Sequence, residues 1–176
     1  MESSATLMQW TRLEHADWNL HIAATMKGIC FIGGRNRPLA ELENWARKHF
    51  TSSVLVRDDV RLQPFSQAAF LFLEGKRRDL DVPMDLKGTP FQLAVWQTVY
   101  EIPYGQTRSY SAIAAALSRP KAVRAVAAAI AANPVLISIP CHRVIGKNGA
   151  LTGYRGGLEM KGRLLKLERE HSCLKT

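Results

Sequence analysis

An apolar run that ends in three reactive side chains is the strongest constraint on how this chain folds. Residues 133–140 read Asn-Pro-Val-Leu-Ile-Ser-Ile-Pro, and Cys141, His142 and Arg143 follow directly. A short continuous apolar run predicts a buried strand, so we expect the fold to deliver these residues from its core to a pocket. A cysteine is a strong nucleophile only as a thiolate, and neighbouring His and Arg side chains favour that form. The alternative is a core cysteine flanked by surface charges.

The net charge of +9 lies entirely in the second half of the chain. Residues 1–86 contain 11 Lys and Arg against 11 Asp and Glu, whereas residues 87–176 contain 13 against 4. A basic domain joined to a neutral one indicates that the basic half binds a polyanion. A basic surface that only aids solubility is the alternative.

The cysteine pattern argues against structural disulfides and metal sites. Cys30, Cys141 and Cys173 are odd in number, widely spaced and without a Cys-x-x-Cys pair. This pattern favours a reducing compartment. The sequence has neither a secretory signal nor an apolar run of membrane length. We therefore expect a cytoplasmic protein with no metal, no other cofactor and no membrane partner.

The first half of the chain predicts a small α+β domain. Trp18 to Ile32 favours a hairpin that turns at Lys27-Gly28, and residues 54–56 favour a short strand. Residues 38–50 and 62–73 have the apolar spacing of helices.

The second half predicts a mostly helical domain, which begins after a boundary near residues 81–88. Thr89-Pro90-Phe91-Gln92 is a capping box that opens a first helix, and Ser109 caps a second. A third helix spans 121–132, and the second and third together predict a helix-turn-helix. A terminal helix spans 158–170, and Lys147-Asn148-Gly149 predicts a hairpin turn.

The third predicted helix is almost without side-chain bulk. Helices that read bases in the major groove present long polar side chains, but this one offers only Lys121 and Arg124. We therefore expect binding to DNA shape and phosphates rather than to a base sequence. Alanines packed inside a stable helix are the alternative. The small residues are Ala122, Ala125, Ala127, Ala128, Ala129, Ala131 and Ala132.

The segment Pro140-Cys141-His142-Arg143-Val144 resembles the active-site signature of the O6-alkylguanine-DNA alkyltransferase family, which repairs DNA by direct reversal. The resemblance covers about half of the chain with its spacing kept, and it includes Ser109-Tyr110, Lys121 to Val126, Asn133-Pro134, Gly153 to Gly157 and Glu168. It implies a two-domain α+β fold. Residues 1–86 would form a sheet-plus-helix, ribonuclease H-like supporting domain, and residues 87–176 a mostly helical DNA-binding and alkyl-transfer domain with a helix-turn-helix.

The resemblance also implies a reaction. A methyl or larger alkyl group would move from O6 of guanine, and also from O4 of thymine, to Cys141, and each molecule would act once. His142 would deprotonate Cys141 through a water, and Glu168 would hold the far ring nitrogen. Tyr110 would donate a proton or hydrogen bond to the departing base. Composition alone does not show whether Glu168 or its neighbour Glu170 binds His142. The alternative for Glu168 is a surface glutamate with no role in the site.

The implied substrate is double-stranded DNA that contains O6-alkylguanine, and the damaged base must be flipped out of the stack to react. Arg124 is similar to the family's intercalating arginine, and Asn133 to the asparagine that ties the third helix to the Cys141 segment. Tyr154 and Gly156 resemble the pocket loop. The other expected substrate or DNA contacts are Ser109, Ala122, Ala125, Arg143, Val144 and Arg155.

Two positions depart from some relatives of the resembled family. Arg155 stands where others have a small residue, and Leu136 stands where some have proline. A bulkier or more flexible pocket rim is therefore expected, which bears on the alkyl size that is tolerated.

Two rival functions account for only part of the sequence. A non-catalytic helix-turn-helix regulator with an incidental cysteine needs base-reading side chains on the third helix, and these are missing. A cysteine hydrolase that uses a Cys-His-Glu set would leave the basic half and the alanine-rich helix unexplained. We expect a monomeric DNA repair protein.

Overall fold

A four-stranded mixed sheet forms the first half of the computed structural model, which describes residues 5–172. Strands β1 (Thr6–His15), β2 (Trp18–Thr25), β3 (Gly28–Ile32) and β4 (Ser53–Arg57) lie in the order β3-β2-β1-β4. Neighbours pair antiparallel, except that β4 runs parallel to β1. The predicted hairpin and short strand are confirmed, whereas β1 was not predicted.

Two helices pack against the sheet in separate apolar clusters. Helix α1 (Ala40–His49) contributes Leu42 to a cluster that includes Phe31. Helix α2 (Gln63–Leu73) contributes Phe72 to the larger core. Both helices lie within the predicted ranges.

The second half is mostly helical, as predicted. Its helices are α3 (Pro90–Tyr100), α4 (Tyr110–Ala116), α5 (Val123–Ala131) and α6 (Leu158–Ser172). The capping box before α3 is present, because Gln92 N donates to Thr89 Oγ1 at 3.2 Å and Thr89 N donates to Gln92 Oε1 at 2.9 Å. Ser109 Oγ caps α4 by accepting from Ala112 N at 3.1 Å. Helices α4 and α5 form the predicted two-helix unit.

The predicted strand before Cys141 is wrong. Val135 forms only an isolated bridge to Ile32, turns follow, and Cys141–Arg143 form a 3₁₀ helix. The apolar run is buried because its side chains fill the core, while its peptide groups bond locally, as Ser138 N does to Leu136 O at 2.8 Å. The backbone therefore turns after Pro140, so the reactive residues leave the core on a tight helical turn rather than on alternate faces of a strand.

The turn at residues 147–149 is present, but it does not join a hairpin. Gly149 N donates to Gly146 O at 2.9 Å, which closes the turn. The strand before it, β6 (Val144–Ile145), pairs in parallel with β5 (Arg108–Ser109) rather than with a strand that follows the turn. The hairpin prediction is therefore wrong, and β6 instead attaches the Cys141 turn to the residue that caps α4.

One hydrophobic core joins the two halves of the chain. It contains Ile22 and Ile32 from the sheet together with Trp96, Val135 and Leu164 from the second half. The sheet therefore supports the segment that leads to Cys141. The boundary near residues 81–88 and the ribonuclease H-like likeness stay predictions. Across residues 5–172, none of the helices has the length and hydropathy that crossing a membrane requires.

Candidate active site

Cys141 is fully enclosed and is held by the side chain of Asn133. Asn133 Nδ2 donates to Cys141 Sγ and to Ile139 O, both at 3.1 Å, and Asn133 Oδ1 accepts from Val135 N at 2.8 Å. Burial raises the pKa of the Cys141 thiol to about 12, against the opposing effects of the Asn133 hydrogen bond and of the charges on Lys161 and Arg155. Near neutral pH the group is a thiol, so its use as a nucleophile requires a base.

His142 lies beside it on the same turn and is bound to a buried carboxylate. His142 Nε2 is 2.6 Å from Glu168 Oε1, and both side chains are almost completely buried. Arg143 Nε donates to both carboxylate oxygens of Glu168 at 3.0 Å, and its Nη2 donates to Oε1 at 2.9 Å. Glu170, the alternative to Glu168, is exposed and pairs with Lys166 on the same helix.

The protonation states follow from this arrangement. Burial lowers the pKa of His142 even though Glu168 opposes that shift, so the imidazole is neutral near neutral pH. Burial opposes ionisation of Glu168, but the bonds from His142 and Arg143 outweigh it and lower the pKa of the carboxyl. A neutral imidazole that donates from Nε2 to a carboxylate keeps an unprotonated Nδ1. That nitrogen is buried and has no hydrogen-bond partner among residues 5–172. His142 is therefore suited to act as a base.

The same carboxylate ties the site to the turn that precedes α4. Gly105 N donates to Glu168 Oε2 at 3.0 Å, and Arg143 Nη1 donates to Ile102 O at 2.6 Å. Glu168 thus holds together α6, the Cys141 turn and the entrance to the helix-turn-helix.

Tyr110 and Lys161 converge on one backbone oxygen near the thiol. Tyr110 Oη and Lys161 Nζ each donate to Thr152 O at 2.8 Å, and Nζ lies 5.7 Å from the centre of the Tyr110 ring. Burial lowers the pKa of Lys161 to about 8, and the nearby Cys141 opposes the shift. Sequence reasoning missed Lys161, because nothing in the pattern distinguishes it from the exposed Lys166 on the same helix.

The loop before α6 forms a close-packed wall of the site. The Tyr154 hydroxyl is buried without a hydrogen-bond partner in the described part of the chain. Burial raises the pKa of Tyr154, and the charge of Cys141 adds to the effect. A Cβ on Gly156 would lie 2.5 Å from Met160 Sδ, so any larger residue here would force the side chains of the pocket loop to move. Gly153 has a φ of 43°, which also favours glycine.

Helix α5 presents a smooth outer face with one long side chain. Arg124 and Ala125 are exposed, whereas Val126 and Ile130 are buried. Ala122 is the residue that precedes the helix at its N-terminus. Arg124 has no hydrogen-bond or ion-pair partner among residues 5–172, which leaves it available to an external ligand.

Three positions expected to contact substrate or DNA are turned inward instead. Val144 is fully buried in β6. The guanidinium of Arg143 forms an ion pair with Glu168 and donates a hydrogen bond to Ile102 O. It faces inward because a buried carboxylate needs a paired cation. Arg155 does not form a bulky pocket rim; its guanidinium points into the body of the protein, where Nε donates to Asn133 O at 2.7 Å. Ser109 already uses its hydroxyl to cap α4 and to bond to Ser111 at 2.9 Å.

Comparisons with known proteins agree on one family. The family described as "6-O-methylguanine DNA methyltransferase, DNA binding domain" matches residues 90–170. The inducible methylated-DNA–protein-cysteine methyltransferase of Bacillus subtilis is 56% identical over 172 residues, which is 98% of this chain and 96% of that protein. The crystal structure of the Mycobacterium tuberculosis O6-methylguanine methyltransferase is similar with a TM-score of 0.80 at 33% identity, over 96% of each chain. The crystal structure of M. tuberculosis OGT in complex with DNA is similar with a TM-score of 0.78 at 33% identity, over 94% of each chain.

Proposed function

Because this chain belongs to the methylated-DNA–protein-cysteine methyltransferase family, we propose that it repairs duplex DNA by moving the alkyl group of O6-alkylguanine to Cys141. The chain is an alkyl-transferring DNA repair protein rather than a regulator. The observation that supports Cys141 as the acceptor is its enclosure between the Asn133 amide and a turn whose His142 is bound to Glu168.

The proposed transfer is an in-line displacement. His142 Nδ1 takes the thiol proton of Cys141 through a bridging water. The thiolate sulfur then attacks the alkyl carbon, a C–S bond forms, and the bond from that carbon to O6 breaks. The electron pair stays on the oxygen of the departing guanine. Glu168 stabilises the imidazolium that forms, as the carboxylate does in an acid–His–nucleophile set.

The departing guanine needs a proton or a hydrogen bond, and Tyr110 is the residue we assign to this role. Its hydroxyl lies at the pocket loop, where it shares Thr152 O with the Lys161 ammonium. Burial raises the pKa of Tyr110, against the opposing effect of its hydrogen bond to Thr152, so the hydroxyl keeps its proton near neutral pH. Tyr110 therefore acts as a neutral donor.

Helix α5 is the proposed DNA-contacting element. Its small exposed residues allow the backbone to approach a groove closely, and Arg124 is the only long side chain between Val123 and Ala131. A planar guanidinium can occupy the position of an extruded base, so we assign Arg124 to holding the flipped state open. Transfer from O4 of thymine, the monomeric state, the cytoplasmic location and the absence of a cofactor stay predictions.

The function is tested by intact and peptide mass spectrometry after mixing with duplex DNA that carries one O6-methylguanine. We expect every molecule to gain one methyl group on the peptide that contains Cys141, and the DNA to return to guanine. An unchanged protein mass with repaired DNA would contradict the proposal, as would an unchanged lesion.

Arg124→Ala should slow repair in duplex DNA much more than reaction with the free O6-alkylguanine base, because only the duplex substrate requires a flipped state. Loss of the stacking residue should cost about 1–3 kcal/mol in the duplex reaction, which is roughly 5- to 150-fold in rate. The matched control is Lys121→Ala, which removes one exposed cation next to the same helix. Equal losses on duplex and free base would assign Arg124 to structure instead.

A further inference from the structure

The side chain of Arg155 joins three separate segments of the chain. Its Nε donates to Asn133 O at 2.7 Å, and its Nη2 donates to Pro134 O at 3.0 Å and to Ile32 O at 2.5 Å. Its Nη1 donates to Glu41 Oε1 at 2.9 Å. All three nitrogens of the guanidinium are used, and its carbon lies 4.9 Å from the centre of the Phe31 ring.

Glu41 completes this arrangement from the first half of the chain. It lies in the first turn of α1, and its second oxygen accepts from Gly34 N at 3.0 Å. One carboxylate therefore orients both the guanidinium and the loop that follows β3. The ion pair is only partly exposed, with side-chain exposures of 19% for Arg155 and 23% for Glu41, so solvent screens it less than a surface pair.

Two of the three carbonyls that Arg155 binds belong to the segment that holds the thiol. Asn133 and Pro134 are adjacent, and the Asn133 side chain makes the hydrogen bond to Cys141 Sγ. Ile32 N donates to Pro134 O at 2.9 Å, which adds a second link from the sheet to the same place. The backbone that carries the Asn133 amide is therefore held from both halves of the chain.

We propose that Arg155 and Glu41 form a positioning clasp through which residues 1–86 fix Asn133, and through it Cys141, for alkyl transfer. This rests on the proposed function, and it assigns a role to the first half that goes beyond support. Arg155 touches neither substrate nor DNA in this role and acts only through Asn133. The clasp needs the planar fork of arginine, because a lysine ammonium is a single point that cannot reach carbonyls on two segments at once.

The test compares Arg155→Lys and Glu41→Gln with wild type in single-turnover repair of methylated duplex DNA. We expect Arg155→Lys to lower the rate constant at saturating DNA by about tenfold, since small displacements of a reacting group cost factors of this size. The DNA concentration that gives half the maximal rate should not change. Glu41→Gln should act in the same direction by about threefold. The double variant should be no slower than Arg155→Lys alone, because both act through one clasp.

The matched control is Arg57→Lys, the same substitution in the exposed Arg57–Asp59 pair of the first half, and it should leave the rate constant unchanged. If Arg155→Lys lowers only the melting temperature and not the rate constant, the clasp is a stabilising contact and the proposal is wrong. The proposal is also wrong if the losses in rate constant from Arg155→Lys and Glu41→Gln add up in the double variant. If Arg155→Lys does not fold, the rate constant of Glu41→Gln tests the proposal instead, and an unchanged value would contradict it.

A second readout separates failure of the clasp from failure of the proposed function. Labelling of Cys141 by iodoacetamide, quantified on its peptide, needs no alkylated DNA. We expect labelling to change at least about threefold in Arg155→Lys and to stay at the wild-type rate in Arg57→Lys. If the wild-type protein does not react with methylated DNA but the labelling rates differ as expected, the proposed function is wrong and the positioning role of the clasp is supported. If wild type repairs DNA and the labelling rates are equal, the clasp is wrong.

Discussion

We expect Cys141→Ser to abolish alkyl transfer completely while DNA affinity stays at the wild-type level. A serine hydroxyl has a pKa far above that of a thiol, so one buried histidine ionises it far less. The substitution removes no charge and keeps a polar atom near Asn133 Nδ2 inside a site that is closed to solvent. Label transfer from alkylated DNA and a binding titration on undamaged DNA give the two measurements.

The wild-type protein in the same experiment should stop at one alkyl group per molecule, whatever excess of damaged DNA is supplied. A thioether has no electrophilic carbonyl for water to attack, and it does not exchange with thiols. Cys30 is buried, and Cys173 lies outside the described residues. Label on either of them, label on the serine variant, or several turnovers per molecule would contradict the proposed mechanism.

The largest loss of stability should follow from Glu168→Ala. The change leaves Arg143 and His142 buried without their partner, and breaking a buried ion pair in this way costs about 3–5 kcal/mol. In a chain of this size that corresponds to a melting temperature lower by roughly 10 °C. Calorimetry measures the shift, and transfer activity should fall with it because His142 loses the group that orients its ring.

Glu170→Ala is the matched control, since Glu170 lies two residues further along α6 and is exposed. It should change the free energy of unfolding by no more than about 0.5 kcal/mol. The contribution of Glu168 should also depend on pH. Because its pKa is lowered by folding from 4.5, this contribution is complete above pH 4.5 and is lost as the pH falls through the folded value. If the two alanine variants have equal melting temperatures, the contacts of Glu168 with His142 and Arg143 do not stabilise the fold, and this prediction is wrong.

The helices of this fold could be predicted because their ends carry local signals. Thr89 with Gln92, and Ser109, satisfy backbone donors within three residues, so the sequence alone contains the interaction. Strand β1 was missed because it is partly covered on both faces, so its side chains lack the simple alternation of a half-buried strand. The run before Cys141 was mistaken for a strand because burial gives turns and strands the same apolar composition.

The residue pattern alone marked the reactive group only at Cys141, His142 and Arg143, which are adjacent in sequence. Glu168, Tyr110 and Asn133 were assigned through the family resemblance, because they lie further along the chain. Arg143 and Arg155 looked like DNA-binding cations because their partners, Glu168 and Glu41, lie 25 and 114 residues away. A single sequence gives a cation its charge but not its partner. Inward-facing arginines are therefore the residues that sequence reasoning is least able to place.

The enclosure of Cys141 also bears on how long the protein stays usable. Oxidants attack thiolates that are exposed, and oxidation as far as the sulfinic acid would remove the acceptor permanently. Here the sulfur has no exposed surface, and its raised pKa keeps it protonated until a base acts on it. A protein that can react only once gains from this, because molecules that wait for a lesion are not consumed by peroxide or by disulfide formation. The same burial that makes the thiol a poor nucleophile at rest therefore preserves it for its single reaction.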